Sequence, residues 1–190
     1  MDIEEYDPKC EGCKRSQGDN VVGGIVRLGS DWVLNHYQGG EGFLGWMALQ
    51  PRYHRCELSE LTPSELGTLG ENIKKADVAL REYWREHFPN DPIRRVYVVY
   101  FYESVYDEPK PTSFHLHIHL IPRAQRLDGL LRECRRSGSS PITYSSTIVA
   151  WNIYKVTKCK DFPSEYRYNR SNDEDKEKVS SLMDYLRSRL

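Results

Sequence analysis

The apolar positions of the chain fall into short alternating runs, one long helical stretch and a second set of alternating runs. Residues 31–35 (DWVLN) and 45–49 (GWMAL) each predict a short strand. Thr62-Pro63-Ser64-Glu65 predicts a helix start, because Thr62 can cap, Pro63 suits the first helical position and Glu65 completes a capping box. Beyond it, Leu66, Leu69, Ile73, Ala76, Leu80 and Tyr83 recur at helical spacing. They predict one amphipathic helix to about Phe88, stopped by Pro89. Residues 94–102 (RRVYVVYFY) are aromatic and β-branched and predict a central strand. Residues 113–121 alternate strictly and predict its neighbour. A second capping box, Ser171-Asn172-Asp173-Glu174, leads into a C-terminal helix through Tyr185 and Leu186. The least core-like stretches are residues 39–42, 107–112, 137–141 and 164–178, and there is no internal repeat. This order of elements predicts an α+β fold with an antiparallel sheet.

Composition narrows the class. The 190 residues are enough for one well-buried domain plus an appendage, and 13 Tyr and 4 Trp supply material for a packed core. A mean hydropathy of −0.70 and the lack of an 18-residue apolar run exclude a membrane-spanning helix. The acidic start MDIEEYDPKC has no apolar segment of a signal peptide, so a soluble, cytoplasmic protein is expected. The net charge of −1 hides an asymmetry: residues 1–122 carry −6 and residues 123–190 carry +5. A basic C-terminal third suits an anionic ligand such as a nucleotide or a nucleic-acid phosphate; a solvated surface has the same signature. Five Cys in a chain without an export signal argue for reduced thiols or metal ligands rather than a disulfide framework.

Three of the six His crowd into Phe114-His115-Leu116-His117-Ile118-His119-Leu120-Ile121-Pro122. On a strand, His115, His117 and His119 would share one face, with Phe114, Leu116, Ile118 and Leu120 buried on the other. Imidazole serves near neutral pH as metal ligand, general base or nucleophile. Three imidazoles on one face are hard to explain as satisfied core residues. Cys10-Glu11-Gly12-Cys13 is a CxxC, which alone fits a redox pair, half of a zinc site or coincidence. Two Cys with two His would complete a tetrahedral zinc set.

The pattern His-φ-His-φ-His-φ-φ, with φ apolar, resembles the signature of the histidine triad (HIT) family of nucleotide hydrolases and transferases. The resemblance runs from about Cys10 to Arg123. It takes in the strand ending at Asn35, the segment Gly45-Trp46-Met47-Ala48-Leu49-Gln50-Pro51 before His54, the long helix, and Pro122-Arg123. It implies an antiparallel sheet of about five strands with one long helix in a HIT domain over residues 1–123; residues 124–190, which the resemblance does not cover, are expected to form a basic extension packed on that domain. It also implies a purine nucleotide or dinucleotide substrate, a nucleotidyl-histidine intermediate on His117, and a homodimer. His119 would stand beside the phosphate, and Thr112 occupies the position of the family's Ser or Thr. Asn35 matches a ribose contact, and Ser104 lies near where an Asn often approaches the phosphates. A structural zinc would be held by Cys10, Cys13, His54 and His115.

Several positions depart from the family pattern. Trp46 stands where Gly-His is frequent and either stacks on a base or fills the core. Pro111 replaces a usual Gln. A third His, rather than Gln, favours hydrolysis of a dinucleoside polyphosphate or nucleoside phosphoramidate. The alternatives are a nucleotidyltransferase or phosphorylase, an adenylate-removing protein acting on nucleic-acid ends, and a zinc-stabilised nucleotide-binding protein using the basic residues 123–136. His36 is expected in a loop and His87 at a helix end. Cys56, Cys134 and Cys159 are expected to be incidental. Residues 147–156 (TIVAWNIYKV) predict a further strand, packed near the exit of the triad strand, which would bring basic groups to the leaving-group side of His117.

Overall fold

The computed structural model describes residues 6–37, 41–100, 114–126 and 164–190. Helix α1 (Glu11–Gln17) is followed by strands β1 (Ile25–Leu28), β2 (Trp32–His36), β3 (Glu41–Phe43) and β4 (Met47–Pro51). Helix α2 (Pro63–His87) leads to β5 (Ile93–Tyr100) and β6 (Ile118–Ala124). Strand β7 (Arg167–Asn169) and helix α3 (Asp173–Arg189) close the chain. Five strands form one sheet in the order β1-β2-β4-β6-β5, antiparallel throughout. Strands β3 and β7 form a separate two-stranded ribbon. The architecture is α+β, as the element order predicts. No helix among the described residues is long and apolar enough to cross a membrane.

The capping box at the start of α2 forms as expected. The Glu65 N–H donates to Thr62 Oγ1 at 3.2 Å and the Thr62 N–H donates to Glu65 Oε2 at 2.7 Å. The helix buries Ala76, Ala79, Leu80, Tyr83 and Trp84 against the sheet residues Leu34, Met47, Leu49 and Leu120. Leu66 is 58% exposed, so the apolar face begins a turn later than its periodicity suggests. Helix α3 packs on α2, β1, β2 and β7 and adds Val179, Leu182, Met183 and Leu186 to the same core. Its N-cap is Asn172, whose side chain accepts from the Asp175 N–H, so Asn172 takes the role expected of Ser171.

Four expectations are corrected. Among the described residues β5 is the outermost strand on its side of the sheet rather than a central one, and it pairs with β6. Its β-branched and aromatic side chains suit a pleated surface at either position, so composition could not distinguish the two. The triad strand begins at Ile118 rather than at Ser113. The Leu116 N–H donates to the Arg55 carbonyl instead of to a strand, which keeps residues 114–117 outside the ladder. Residues 164–178, expected to lie away from the core, contain buried Tyr166 and Tyr168 and the strand that pairs with β3. His36 is fully buried in β2, not in a loop; His87 does end α2.

Candidate functional site

Two groups of side chains meet at the start of β6. The first consists of Cys10, Cys13, His54 and His115, whose ligand atoms all lie within 4.8 Å of one another. Cys10 precedes α1, Cys13 lies within it, His54 follows β4 and His115 precedes β6, so the cluster ties the N-terminal segment to the sheet. Its geometry depends on Gly12. A Cβ at that position would come within 2.1 Å of the His115 Cβ, so only glycine lets α1 approach so closely. The Gly12 carbonyl also accepts from Gln50 Nε2 at 3.1 Å, which anchors α1 to β4.

The hydrogen bonds fix which imidazole nitrogen faces the thiols. His115 Nε2 lies 2.9 Å from the Pro51 carbonyl, which can only accept, so that nitrogen carries the proton. The bare Nδ1 then faces Cys13 Sγ at 3.5 Å and Cys10 Sγ at 3.7 Å. His54 presents Nδ1 to Cys13 Sγ at 3.2 Å, with its Nε2 3.4 Å from Cys56 Sγ. Cys56, expected to be incidental, therefore borders the cluster. Burial pushes the Cys13 thiol up to about 12 and holds His115 down at about 4, so both groups favour their neutral forms in the protein environment alone. The loop carrying His54 is held by a buried ion pair. Arg55 Nε reaches Glu65 Oε2 at 3.0 Å, and Arg55 Nη1 donates to the His54 carbonyl at 2.9 Å.

The second group is His117 with His119, ring centroids 4.7 Å apart and nearly perpendicular. His117 Nδ1 lies 2.9 Å from the His115 carbonyl, so Nδ1 carries the proton and Nε2 keeps its lone pair. His119 accepts at Nδ1 from Trp46 Nε1 at 2.9 Å. Burial, chiefly, and secondarily the neighbouring His117 hold its imidazole near 3, well below the ordinary range. Trp46 stacks on Tyr37 at 4.7 Å, and Tyr37 meets His119 edge-on at 5.1 Å. Trp46 is thus buried, as the core alternative holds, but it is also bonded to a triad histidine.

Asn35 lies in β2, opposite Ala48 of β4, which in turn pairs with His119 of β6. It is buried, and its Nδ2 has no hydrogen-bond partner among the described residues. The structure therefore brings together Cys10, Cys13, His54 and His115 as one cluster and His117 with His119 as a pair, with Asn35 two strands away. Thr112, Ser104, Cys134, Cys159 and the strand expected over 147–156 lie outside the described residues. Sequence reasoning missed Gly12, Arg55 and Glu65 as supports of the site. The glycine inside the CxxC was the one visible signal.

No protein-family model matches the sequence, and no curated protein matches it. Several solved structures are similar to this chain. A Hit-like protein from Bartonella henselae has a TM-score of 0.46 and 18% identity over 80% of this chain and 96% of its own. A HIT-family member from Bacillus subtilis has a TM-score of 0.45 and 17% identity over 72% and 99%. A Zn-bound histidine triad family protein from Mycobacterium smegmatis has a TM-score of 0.44 and 14% identity over 94% and 96%.

Proposed function

We propose that the chain is a HIT-type nucleotide hydrolase that cleaves a nucleoside 5′-phosphoryl bond through a nucleotidyl-histidine on His117. The observation that carries this reading is the hydrogen bond from His117 Nδ1–H to the His115 carbonyl, beside the ring of His119. A neutral imidazole whose far nitrogen is fixed on an acceptor presents its other lone pair as a nucleophile. In the first step the Nε2 lone pair forms a P–N bond, and the bond from phosphorus to the leaving group breaks. The leaving atom takes that electron pair and a proton from solvent. In the second step water attacks the same phosphorus, the P–N bond breaks, the nucleoside monophosphate departs, and the proton lost by the water returns to solvent. The Asn35 amide, without a hydrogen-bond partner among the described residues, is an available donor for a sugar hydroxyl. Thr112 and Ser104 lie outside the described residues, and the roles expected of them belong to this proposal.

The cluster fits zinc. For Zn–S near 2.3 Å and Zn–N near 2.0–2.1 Å, tetrahedral geometry puts S and N roughly 3.6 Å apart. Three of the four Cys–His separations run from 3.2 to 3.7 Å, and all the ligand atoms lie within 4.8 Å of one another. Zinc, when bound, supplies charge that favours the thiolates and a cross-link between α1 and the entry to β6. Its role is structural, because all four positions are taken by side chains.

Turnover of a nucleotide panel, with mass spectrometry of the quenched enzyme, tests the reading. A nucleotidyl adduct on the peptide containing His117, absent in His117→Ala, is the expected result. His117→Ala should lose several orders of magnitude in rate, and wild-type-like turnover in that variant would refute the assignment.

A further inference from the structure

Two neighbouring imidazoles are fixed in opposite tautomers by partners that leave no choice. A backbone carbonyl only accepts, so His117 holds its proton on Nδ1. An indole nitrogen only donates, so His119 must be unprotonated at Nδ1. We infer that Trp46 is a positioning residue that locks His119 in its Nε2–H tautomer, so that His119 serves as a fixed hydrogen-bond donor and not as a base. The catalytic half of this inference rests on the hydrolase reading above; the tautomer does not.

The surroundings of Trp46 fit a positioning role better than that of a filler. Trp46 is 5% exposed, and its ring stacks on Tyr37 at 4.7 Å and meets Phe43 at 5.6 Å, so it has little freedom to swing away from His119. The Trp46 backbone is held on both sides. Its carbonyl accepts from the Tyr37 N–H at 2.7 Å, and its N–H donates to the Phe43 carbonyl at 3.2 Å. Gly45, just before it, has φ +84°, and a side chain there would collide with Trp84 at 2.7 Å. The turn that aims the indole is therefore specified by sequence. A proton on His119 Nδ1 would set two N–H groups against each other in a buried site, at the desolvation cost of both. The strongly lowered basicity of this imidazole agrees with a ring that stays neutral.

The consequence is a division of labour along one strand. His117 offers a lone pair at Nε2, and His119 offers an N–H at Nε2. A donor that is present without titrating can hold a phosphoryl oxygen or leaving atom as charge develops there, with little reorganisation. If Trp46 only filled space, an apolar ring of similar size would do as well.

The test is a long-range proton–nitrogen correlation on protein labelled with ¹⁵N-histidine near neutral pH, together with kcat and KM for the substrate found in the panel. Wild-type His119 is expected to show protonated Nε2 and bare Nδ1, with the reverse pattern at His117. Trp46→Phe should give His119 a mixture of tautomers and lower kcat by up to about 100-fold, with KM little changed. A sulfur isostere of the indole placed at position 46 should behave like Phe while keeping the packing, which covers the case of a poorly folded Phe variant. A His119 that carries its proton on Nδ1 in the wild type overturns the inference. So does a mixed tautomer in both variants with unchanged kcat. If no nucleotide is turned over, the hydrolase reading fails, and the nitrogen shifts still decide the tautomer.

Discussion

At the scale of single residues, the site depends on groups that carry no chemistry of their own. Gly12 sits so close to His115 that one added methyl group has no room. Gly12→Ala is expected to push α1 away from the imidazole, lower stability by about 1–3 kcal/mol as overpacking does, and reduce bound zinc below one per chain. Thermal melting and metal analysis check both parts, and Cys10→Ser or Cys13→Ser should lose the metal with smaller damage to the fold. The histidines also set an acid limit. Burial holds His36 at about 4 and His119 at about 3, whereas a free imidazole titrates near 6.5. The folded state therefore binds fewer protons than the unfolded chain in this window. Stability from these groups is full above about pH 6.5 and is lost as pH falls toward 4. Two such groups give a slope of up to about 3 kcal/mol per pH unit near pH 5. The urea midpoint should drop clearly between pH 7 and pH 5; an unchanged midpoint would contradict neutral burial of these rings.

At the scale of elements, what the sequence disclosed followed from how local each signal was. Helix α2 was legible because its cap and its periodicity lie within the helix itself. The metal cluster was legible only through the family resemblance, since Cys10 and His115 are far apart in the chain and spacing alone left the CxxC ambiguous. The β3–β7 ribbon was not legible. Its pairing joins Gly42 to Tyr168 across more than half the chain, and the polar residues around Tyr166 and Tyr168 disguise a buried segment. The fully buried His36 was hidden for a similar reason: its surroundings come from β7, where Tyr168 meets its ring at 4.7 Å. The Arg55–Glu65 pair links two elements in the same unseen way. Glu65 caps α2 and also neutralises the guanidinium that holds the His54 loop. Glu65→Gln retains the size and an acceptor for the cap but leaves a buried Arg55 charge uncompensated. A loss of roughly 3–5 kcal/mol is expected from denaturant unfolding. A loss below 1 kcal/mol would mean that Arg55 is solvated in solution.

At the scale of the whole molecule, the proposed zinc is the cross-link between the N-terminal segment and the entry to β6. Helix α1 has seven residues, too few to be stable alone. Among the described residues it is held by the cluster, by the Gly12–Gln50 hydrogen bond, and by Ser16, whose hydroxyl donates to the Arg52 carbonyl at 2.9 Å. Without metal, Cys13 and His115 are buried donors whose neutral forms replace a charged ligand set, and nothing covalent joins α1 to β6. Metal removal by a chelator is therefore expected to act in two stages. The segment around residues 6–18 should become accessible to protease first. The His115 carbonyl that orients His117 should then lose its fixed position, so turnover should fall while the sheet, whose core lies against α2 and α3, stays folded. Hydrogen exchange resolved by peptide separates the stages. Fast exchange confined to α1 and residues 114–117, with protected β2, β4 and α2, is the expected pattern. Uniform loss of protection would instead make the metal a requirement for the entire fold, and unchanged exchange after complete chelation would show that the cluster does not depend on an ion.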